Sequence, residues 1–192
     1  PLYHVYGLVL GLILGISMGG RLVFTEKPGH VDEILELIQK YPISYFPAVP
    51  SLFNLINQHP GVKNGGYSLA TVKACISGSA PLLESVRLAF EQNTGGYLVE
   101  GYGLSEAPTA THCNPILGKK RSGSIGLPLP DVDCRITSLQ DEELVVGTGE
   151  EGELWVRGPQ IMLGYLNDER ETRKALQNGW LRTGDIARMD SD

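Results

Sequence analysis

A short apolar stretch is followed by side chains that could bind a nucleotide. Residues 97–99 are apolar and are followed by Tyr102, Ser105 and Glu106. An apolar run bounded by glycine predicts a buried strand. Because ligands bind beyond the carboxyl ends of the strands in an open α/β sheet, an aromatic face, a hydroxyl and a carboxylate at this point suit a nucleotide and its metal ion. The same local pattern is equally typical of an ordinary strand and turn with a surface acid.

A second loop, Ser-Gly-Ser-Ala-Pro at residues 77–81, follows another predicted strand. Its small residues Gly78, Ser79 and Ala80 could bring backbone groups against a flat ring. Tyr102 could stack on that ring, and base–aromatic stacking contributes about 1–3 kcal/mol. Taken alone, the loop is more typical of a turn and N-cap before a helix.

Further side chains could complete such a site. Ser105 could donate to a phosphate, and Glu106 could hold Mg²⁺, which prefers oxygen ligands and works through one or two carboxylates plus phosphates. Asp185 follows a Thr-Gly turn and could accept two ribose hydroxyls, although turn aspartates more commonly bond their own backbone. His4 could line a substrate pocket, although a histidine beside an apolar run is more commonly a core residue. The pattern does not indicate a Ser-His-Asp triad.

Composition limits the classes of function. The 192 residues suffice for one domain with a sizeable core, or a domain with a small appendage. A net charge of −6 leaves no basic footprint, which argues against nucleic acid as a partner. Cys75, Cys113 and Cys134 form no C-x-x-C pair, a pattern that argues against a disulfide framework or a cysteine zinc site and fits a reducing cytoplasm.

The apolar run at residues 5–18 is the one candidate for contact with a membrane. Its 14 residues are interrupted by Gly7, Gly11 and Gly15, and this length is too short to span a bilayer comfortably. We therefore predict a buried core helix with one smooth glycine face. A helix that associates within a membrane is the alternative.

Strand and helix patterns alternate through the first half of the chain. This alternation predicts an α/β fold with a mostly parallel sheet flanked by helices, and burial on both sides explains why the strands are apolar throughout. Pro81 is predicted in the first turn of its helix. The predicted strands cover residues 21–24, 43–46, 72–76 and 97–99, and the predicted helices 31–39, 51–58 and 81–93.

Strand and turn signals dominate the second half, which predicts a β-rich continuation. We predict strands at residues 133–137, 153–157 and 185–189 and a helix at about 168–177. We place the acids around residues 141–151 at a solvated hairpin end. The change of character predicts an α/β subdomain at residues 1–112 and a β-rich portion at residues 113–192.

Five motifs occur in order along the chain, and together they resemble the adenylate-forming superfamily of acyl-CoA synthetases, peptide-synthetase adenylation domains and luciferases. They are Pro-Leu-Tyr-His at residues 1–4, Ser-Gly-Ser-Ala-Pro at 77–81, Glu-Gly-Tyr-Gly-Leu-Ser-Glu at 100–106, Gly-Glu-Leu-Trp-Val-Arg-Gly-Pro at 152–159 and Gly-Trp-Leu-Arg-Thr-Gly-Asp at 179–185. Within the superfamily the chain looks most like long-chain fatty-acid–CoA ligases.

The resemblance implies two half-reactions. A carboxylic acid, here a fatty acid, attacks the α-phosphate of ATP to give acyl-AMP and pyrophosphate, and coenzyme A then displaces AMP. The implied partners are the acid, ATP with Mg²⁺, and coenzyme A. A cytoplasmic protein is expected, one that could associate peripherally with a membrane or form a dimer.

The resemblance also implies roles for the adenine-binding residues. Tyr102 would stack on adenine, with the backbone of residues 78–80 against the other face. Glu100 would lie near the adenine amino group, and Gly101 and Gly103 would let the backbone approach the nucleotide.

The remaining implied roles concern the phosphates, the ribose and the acid. Ser105 would bind the α-phosphate, a position that is often threonine in the superfamily, and Glu106 would bind Mg²⁺, so that these two carry the catalytic roles. Asp185 would bind the ribose hydroxyls. His4, Val49 and Ala80 are expected to border the acyl channel.

The resemblance implies parts beyond the ends of the chain. The phosphate loop with its lysine is expected before Pro1, and the C-terminal lid beyond Asp192. We therefore expect an internal fragment of the large N-terminal domain, without ligase turnover of its own. The alternatives are an enzyme that activates aryl or amino acids and a non-catalytic nucleotide-binding module.

Overall fold

The computed structural model describes residues 2–191, which form two compact units. The first contains the described residues up to Gly103 together with His112–Leu127. The second contains Leu104–Thr111 and the described residues from Pro128 onward. The domain boundary between residues 112 and 113 stays a prediction.

The first unit begins with a π-helix, Gly7–Ile13, that continues as α1, Leu14–Ser17. The prediction of a buried core helix is wrong, because no side chain in either segment is buried. Close packing is found at Gly15, where a Cβ would clash with the side chain of Leu22, whereas a Cβ on Gly11 would meet nothing within 4 Å. Residues 21–24 are irregular instead of forming the predicted strand. Among the described residues, no helix is long and apolar enough to cross a membrane.

Four helices and two strands build the rest of the first unit. The helices are α2 (Val31–Lys40), α3 (Pro50–Gln58), α4 (Pro60–Lys63) and α5 (Glu84–Thr94), and the strands are β1 (Ala74–Ser77) and β2 (Tyr97–Leu104). Proline opens α3 and α4, where its missing N–H is not needed. Gly95 ends α5 in the left-handed conformation, with φ of 68°, which glycine adopts without strain.

Helix α5 starts three residues later than predicted. Pro81 is not in its first turn, and Leu83 is an extended N-cap. Residues 81–83 are not helical.

The core of the first unit lies between the helices and the parallel strands. The side chains of Leu35, Phe53, Ile56 and Leu98 are completely buried. The Phe53 ring makes an edge contact with the Phe90 ring, at 4.8 Å between centroids. Such pairs contribute about 0.5–1.5 kcal/mol beyond the area they bury.

The parallel pairing of β1 with β2 confirms the α/β class predicted for the first half of the chain. Strand β1 runs parallel to β2, with Ile76 opposite Val99 and Ser77 opposite Glu100. The first sheet has the order β1-β2-β3-β4, where β3 is Ala107–Cys113 and β4 is Leu127–Pro128. Residues 43–46 do not form the predicted strand. Only isolated parallel bridges to β1 form there and just beyond, including Tyr45 with Ala74, although the N–H groups of Phe46 and Ala48 donate to the carbonyl oxygens of Ala74 and Ile76.

The second sheet is antiparallel and makes the later part β-rich, as predicted. It has the order β5-β6-β8-β7. Its strands are β5 (Asp133–Thr137), β6 (Glu151–Arg157), β7 (Leu176–Gln177) and β8 (Trp180–Arg188), and α6 (Glu169–Ala175) precedes β7.

A tight hairpin changes the predicted end of α6 and the start of the last strand. Asn178 and Gly179 have φ of 51° and 80°, and Gln177 pairs with Trp180 across them. An Asn-Gly pair with two positive φ values is the favoured two-residue hairpin turn. The helix therefore ends at Ala175, and β8 begins well before the predicted residue 185.

Candidate functional site

The predicted site residues lie in both units of the chain. The loop at residues 77–81, Glu100 and Tyr102 belong to the first unit. Ser105, Glu106 and Asp185 belong to the second.

The loop at residues 77–81 leaves the sheet through a strained turn. Gly78 is buried, whereas Ser79 and Ala80 are exposed. Ser79 has φ of 68°, a left-handed conformation that costs a residue with a side chain about 1–2 kcal/mol. Strain of this kind is concentrated at ligand sites. The turn leaves residues 79 and 80 accessible to a ligand.

Tyr6 packs on the buried side of this loop. Its hydroxyl donates to the carbonyl oxygen of Ile76 at 2.6 Å and lies 3.2 Å from that of Ala48. A Cβ on Gly78 would lie 2.6 Å from Cε2 of the Tyr6 ring. Gly78 is therefore the residue that lets the ring pass beneath the loop. Burial raises the pKa of Tyr6 above its usual value, so the phenol stays a donor.

Glu100 and Tyr102 lie along the end of β2. Partial burial raises the pKa of the Glu100 carboxyl above its usual value, although the nearby backbone of Leu82 acts to lower it. Tyr102 makes an edge contact with His112 at 6.1 Å between ring centroids and an interplanar angle of 62°. Between them, Gly101 lets the strands pack closely, since a Cβ there would lie 3.2 Å from Cγ2 of Ile76.

Two residues next to this group received no role from the sequence. His112 is 4% exposed, and burial lowers its pKa to about 4, so the ring is neutral at pH 7. Asn114 is buried, and its N–H donates to the carbonyl oxygen of Glu100 at 2.9 Å. The side chain of Asn114 also donates to the carbonyl oxygen of Ser124 at 2.6 Å. In the sequence, Asn114 is marked only as a polar residue directly before Pro115. That position does not predict its contacts with Glu100 and Ser124.

Glu106 is held at both its backbone and its side chain. Its carbonyl oxygen accepts from the N–H of Met162 at 2.8 Å, and Oε1 accepts from the Tyr165 hydroxyl at 2.9 Å. This hydrogen bond to the carboxylate raises the pKa of Tyr165. Ser105 is exposed in the turn directly before Glu106.

The donor set around Glu106 fits one kind of metal ion. Among residues 2–191 no group of three His, Cys, Asp or Glu side chains could hold a metal by itself. Mg²⁺ is commonly bound by one or two carboxylates together with substrate phosphates. A single carboxylate at Glu106 fits that mode and does not fit an all-protein metal cage.

Asp185 lies in a bulge of β8. Glu153 on β6 pairs with Ile186, whereas Trp155 pairs with Arg182. On β6 one residue, Leu154, separates Glu153 from Trp155. On β8 three residues, 183–185, separate Arg182 from Ile186. Bulges bend a strand and re-aim its side chains. Asp185 is exposed at this point.

The three predicted channel residues belong to the first unit. His4 is exposed, and its Nδ1 accepts from the N–H of Tyr6 at 3.2 Å. Val49 is 37% exposed, and Ala80 is exposed. Their role at an acyl channel stays a prediction. Pro1, the first residue of that motif, lies outside the described residues.

Comparison with known proteins shows similarity to AMP-binding enzymes and to CoA ligases. Residues 1–166 match the model of a family described as AMP-binding enzyme. A long-chain-fatty-acid–CoA ligase of Bacillus subtilis (strain 168) is 43% identical over 192 residues, which cover 100% of this chain and 34% of that protein. A probable 4-coumarate–CoA ligase 1 of Dictyostelium discoideum is 37% identical over 195 residues, again covering 100% of this chain and 34% of that protein.

The fold is also similar to solved structures. The crystal structure of ATP-bound MatB from Rhodopseudomonas palustris matches with a TM-score of 0.87 and 28% identity, over 100% of this chain and 37% of that one. The chain thus spans about a third of the length of the curated relatives described above. These matches confirm the resemblance carried by the five motifs.

Proposed function

Because the chain belongs to the AMP-binding enzyme family, we propose that the protein is an ATP-dependent ligase that activates a carboxylic acid as acyl-AMP and transfers the acyl group to coenzyme A. A fatty acid is the proposed substrate. The observation that carries the proposal is 43% identity over all 192 residues to a long-chain-fatty-acid–CoA ligase. The aligned residues include the loop at residues 77–81 and the motif at residues 100–106.

The first unit supplies the proposed adenine contacts. Tyr102, whose ring contacts the neutral imidazole of His112, stacks on the base. The exposed backbone of residues 79–80 lies against the other face. The carboxylate of Glu100, with about four lone-pair sites, accepts from the adenine amino group.

The second unit supplies the proposed contacts with the phosphates and the ribose. Ser105 donates to the α-phosphate, Glu106 binds Mg²⁺, and Asp185 accepts from the ribose hydroxyls. Bound Mg²⁺ would neutralise phosphate charge. Phosphoryl chemistry of this kind depends mainly on positioning and on charge stabilisation, and these side chains need no covalent role.

The location of the protein is proposed from its free cysteines and from an exposed apolar helix. The three free cysteines are typical of a reducing compartment, which supports a cytoplasmic protein. Ile13, Ile16 and Met18 are 52%, 64% and 77% exposed. An exposed apolar helix of this kind supports peripheral membrane association or a dimer.

The proposal is tested by ATP–pyrophosphate exchange with the full-length protein. A panel of fatty acids of graded length, aryl acids and amino acids is supplied one at a time. We expect exchange to be fastest with a fatty acid, followed by acyl-CoA formation when coenzyme A is added. Nucleotide binding without exchange for any acid would overturn the proposal and favour a non-catalytic module.

One substitution connects that activity to the predicted metal ligand. Glu106→Gln keeps the size of the side chain and its acceptor for Tyr165, but it removes the negative charge that Mg²⁺ requires. Exchange should fall by at least about a hundredfold, in line with the loss of a charge-stabilising group. Glu143→Gln, at an exposed acid of the same unit, is the matched control and should leave exchange unchanged.

A second candidate function is an aryl-CoA ligase. It is favoured by the 37% identity to a probable 4-coumarate–CoA ligase, which is only slightly below that of the fatty-acid enzyme. Exchange that is faster with hydroxycinnamic acids than with every fatty acid in the panel would establish this alternative.

A further inference from the structure

The bulge that carries Asp185 depends on a carboxylate of the neighbouring strand. Oε1 of Glu153 accepts from the N–H of Gly184 at 3.1 Å, and Oε2 accepts from Nη2 of Arg182 at 3.0 Å. The Glu153 side chain is only 14% exposed. A bulge leaves backbone groups outside the ladder, and here Glu153 satisfies the N–H that β6 cannot reach. Gly184 itself has φ of 75°, which suits glycine at the apex.

Thr183 holds the other side of the bulge. Its hydroxyl donates to the carbonyl oxygen of Leu154 at 2.7 Å and accepts from the N–H of Asp185 at 3.1 Å. The N–H groups of Gly184 and Asp185 are therefore both bound by side chains. With two such contacts, the backbone of Asp185 is fixed before any ligand arrives.

We propose that Glu153 and Thr183 are positioning residues for Asp185. They hold the two extra residues of β8 outside the ladder, so that the Asp185 carboxylate is presented to both ribose hydroxyls of the nucleotide. The inference rests on the proposed function, since it assigns the sugar contact of that same site. Neither residue touches the nucleotide, and both act through the backbone of residues 184 and 185.

If Glu153 only stabilised the fold, its replacement would have a different effect. Glu153 also accepts from Nε1 of Trp155 at 3.2 Å, so its loss could lower stability without affecting nucleotide recognition. A general loss of stability would reduce the use of every nucleotide alike. A positioning role would instead remove the preference for a nucleotide with both ribose hydroxyls. Sugar discrimination is therefore the deciding measurement.

The experiment compares ATP with 3′-deoxy-ATP in pyrophosphate exchange by the full-length protein. One hydrogen bond between a hydroxyl and a carboxylate gives roughly tenfold discrimination, and we expect that preference in the unaltered protein. Glu153→Ala and Thr183→Val should each reduce the preference to less than about threefold. They should do so by raising KM for ATP, with kcat little changed.

Conservative variants and a control accompany these substitutions. Glu153→Gln keeps the acceptor for Gly184 and loses the ion pair with Arg182, and Thr183→Ser keeps the hydroxyl. Both should retain the preference for ATP. Glu151→Gln changes an exposed acid on the same strand and should match the unaltered protein. Full preference for ATP in both Glu153→Ala and Thr183→Val would overturn the inference.

A second measurement on the 192-residue chain separates this inference from the proposed function. Amide hydrogen exchange, followed by NMR, should be at least about tenfold faster at Gly184 in Glu153→Ala, because the hydrogen bond from its N–H to the Glu153 carboxylate is lost. The amide of Leu181 should be unaffected. Unchanged protection at Gly184 would overturn the inference. Failure of the unaltered full-length protein to exchange pyrophosphate with any acid would overturn the proposed function alone.

Discussion

The Tyr165 hydroxyl donates to Oε1 of Glu106 at 2.9 Å, across 59 residues of sequence. Tyr165 is itself anchored, since its N–H donates to Oγ1 of Thr172 at 2.8 Å. Gly164 permits this contact, because a Cβ there would lie 2.8 Å from Cγ2 of Thr172. A neutral donor on one oxygen orients the carboxylate and leaves its other oxygen for a cation.

We predict that Tyr165→Phe weakens the response of the full-length protein to magnesium. The substitution removes one hydrogen bond to a charged group, so the Mg²⁺ concentration for half-maximal pyrophosphate exchange should rise roughly tenfold. The rate at saturating Mg²⁺ should change by less than about threefold, since the carboxylate remains. Tyr41→Phe, which keeps the ring beneath the Lys40 ammonium, is the control. An unchanged magnesium response in Tyr165→Phe would show that the hydroxyl does not orient Glu106.

Strong local patterns predicted several elements well. Strand β5 covers the predicted residues 133–137, and α2 differs from its predicted range by one residue. Both have an unambiguous apolar period and clear ends. The segment at residues 43–46 had a similar apolar pattern, but the strand did not form. Periodicity reports which face is buried and does not report how regularly the backbone pairs, and this segment pairs with β1 only through isolated bridges.

The contacts around the site could not be predicted, because they join residues distant in sequence. The sequence places Glu153 in a strand and in one of the five motifs without a role of its own, yet its carboxylate binds the backbone of Gly184, 31 residues later. His112 was too isolated in sequence to receive a role, although it contacts the Tyr102 ring. The Asn-Gly dipeptide at residues 178–179 is itself a hairpin signal, and it ends the helix earlier than the apolar pattern predicts.

A close contact predicts a steric effect at Gly78. In Gly78→Ala the new methyl would lie 2.6 Å from Cε2 of Tyr6, and the ring cannot easily move because its hydroxyl binds Ile76. Overpacking of this kind lowers the free energy of unfolding by about 1–3 kcal/mol. Urea denaturation of the 192-residue chain measures the change. In the background of Tyr6→Leu the same substitution should cost less than half as much, and equal costs in both backgrounds would exclude the ring as the cause.

Burial of His112 predicts a dependence of stability on pH. The folded chain keeps this ring neutral down to a pKa of about 4, well below the usual value of 6.5, whereas the unfolded chain takes up the proton near that usual value. Acidification through this window therefore favours the unfolded state, by up to about 3 kcal/mol. Glu100 acts in the opposite direction, because its raised pKa makes the folded state bind a proton more readily than the unfolded state.

His112→Phe isolates the contribution of the histidine. This variant keeps an aromatic ring beside Tyr102 and removes the titrating group, so its free energy of unfolding should fall less steeply between pH 6.5 and 4. Urea denaturation at several pH values gives the slopes. His30→Phe, at an exposed position, controls for the general effect of replacing a histidine. Parallel slopes for His112→Phe and the unaltered chain would contradict the prediction.

The guanidinium of Arg135 lies between two tryptophan rings, 4.6 Å from the centroids of both Trp155 and Trp180. Its Nε is buried and has no hydrogen-bond partner among the described residues. A planar group stacks there without full hydration, whereas a lysine ammonium is compact and strongly hydrated. Arg135→Lys should therefore lower the free energy of unfolding by about 1–2 kcal/mol, measured by urea denaturation with tryptophan fluorescence. Arg173→Lys, on the exposed face of α6, should change it by less than about 0.5 kcal/mol, and equal effects at both positions would show that stacking does not stabilise the sheet.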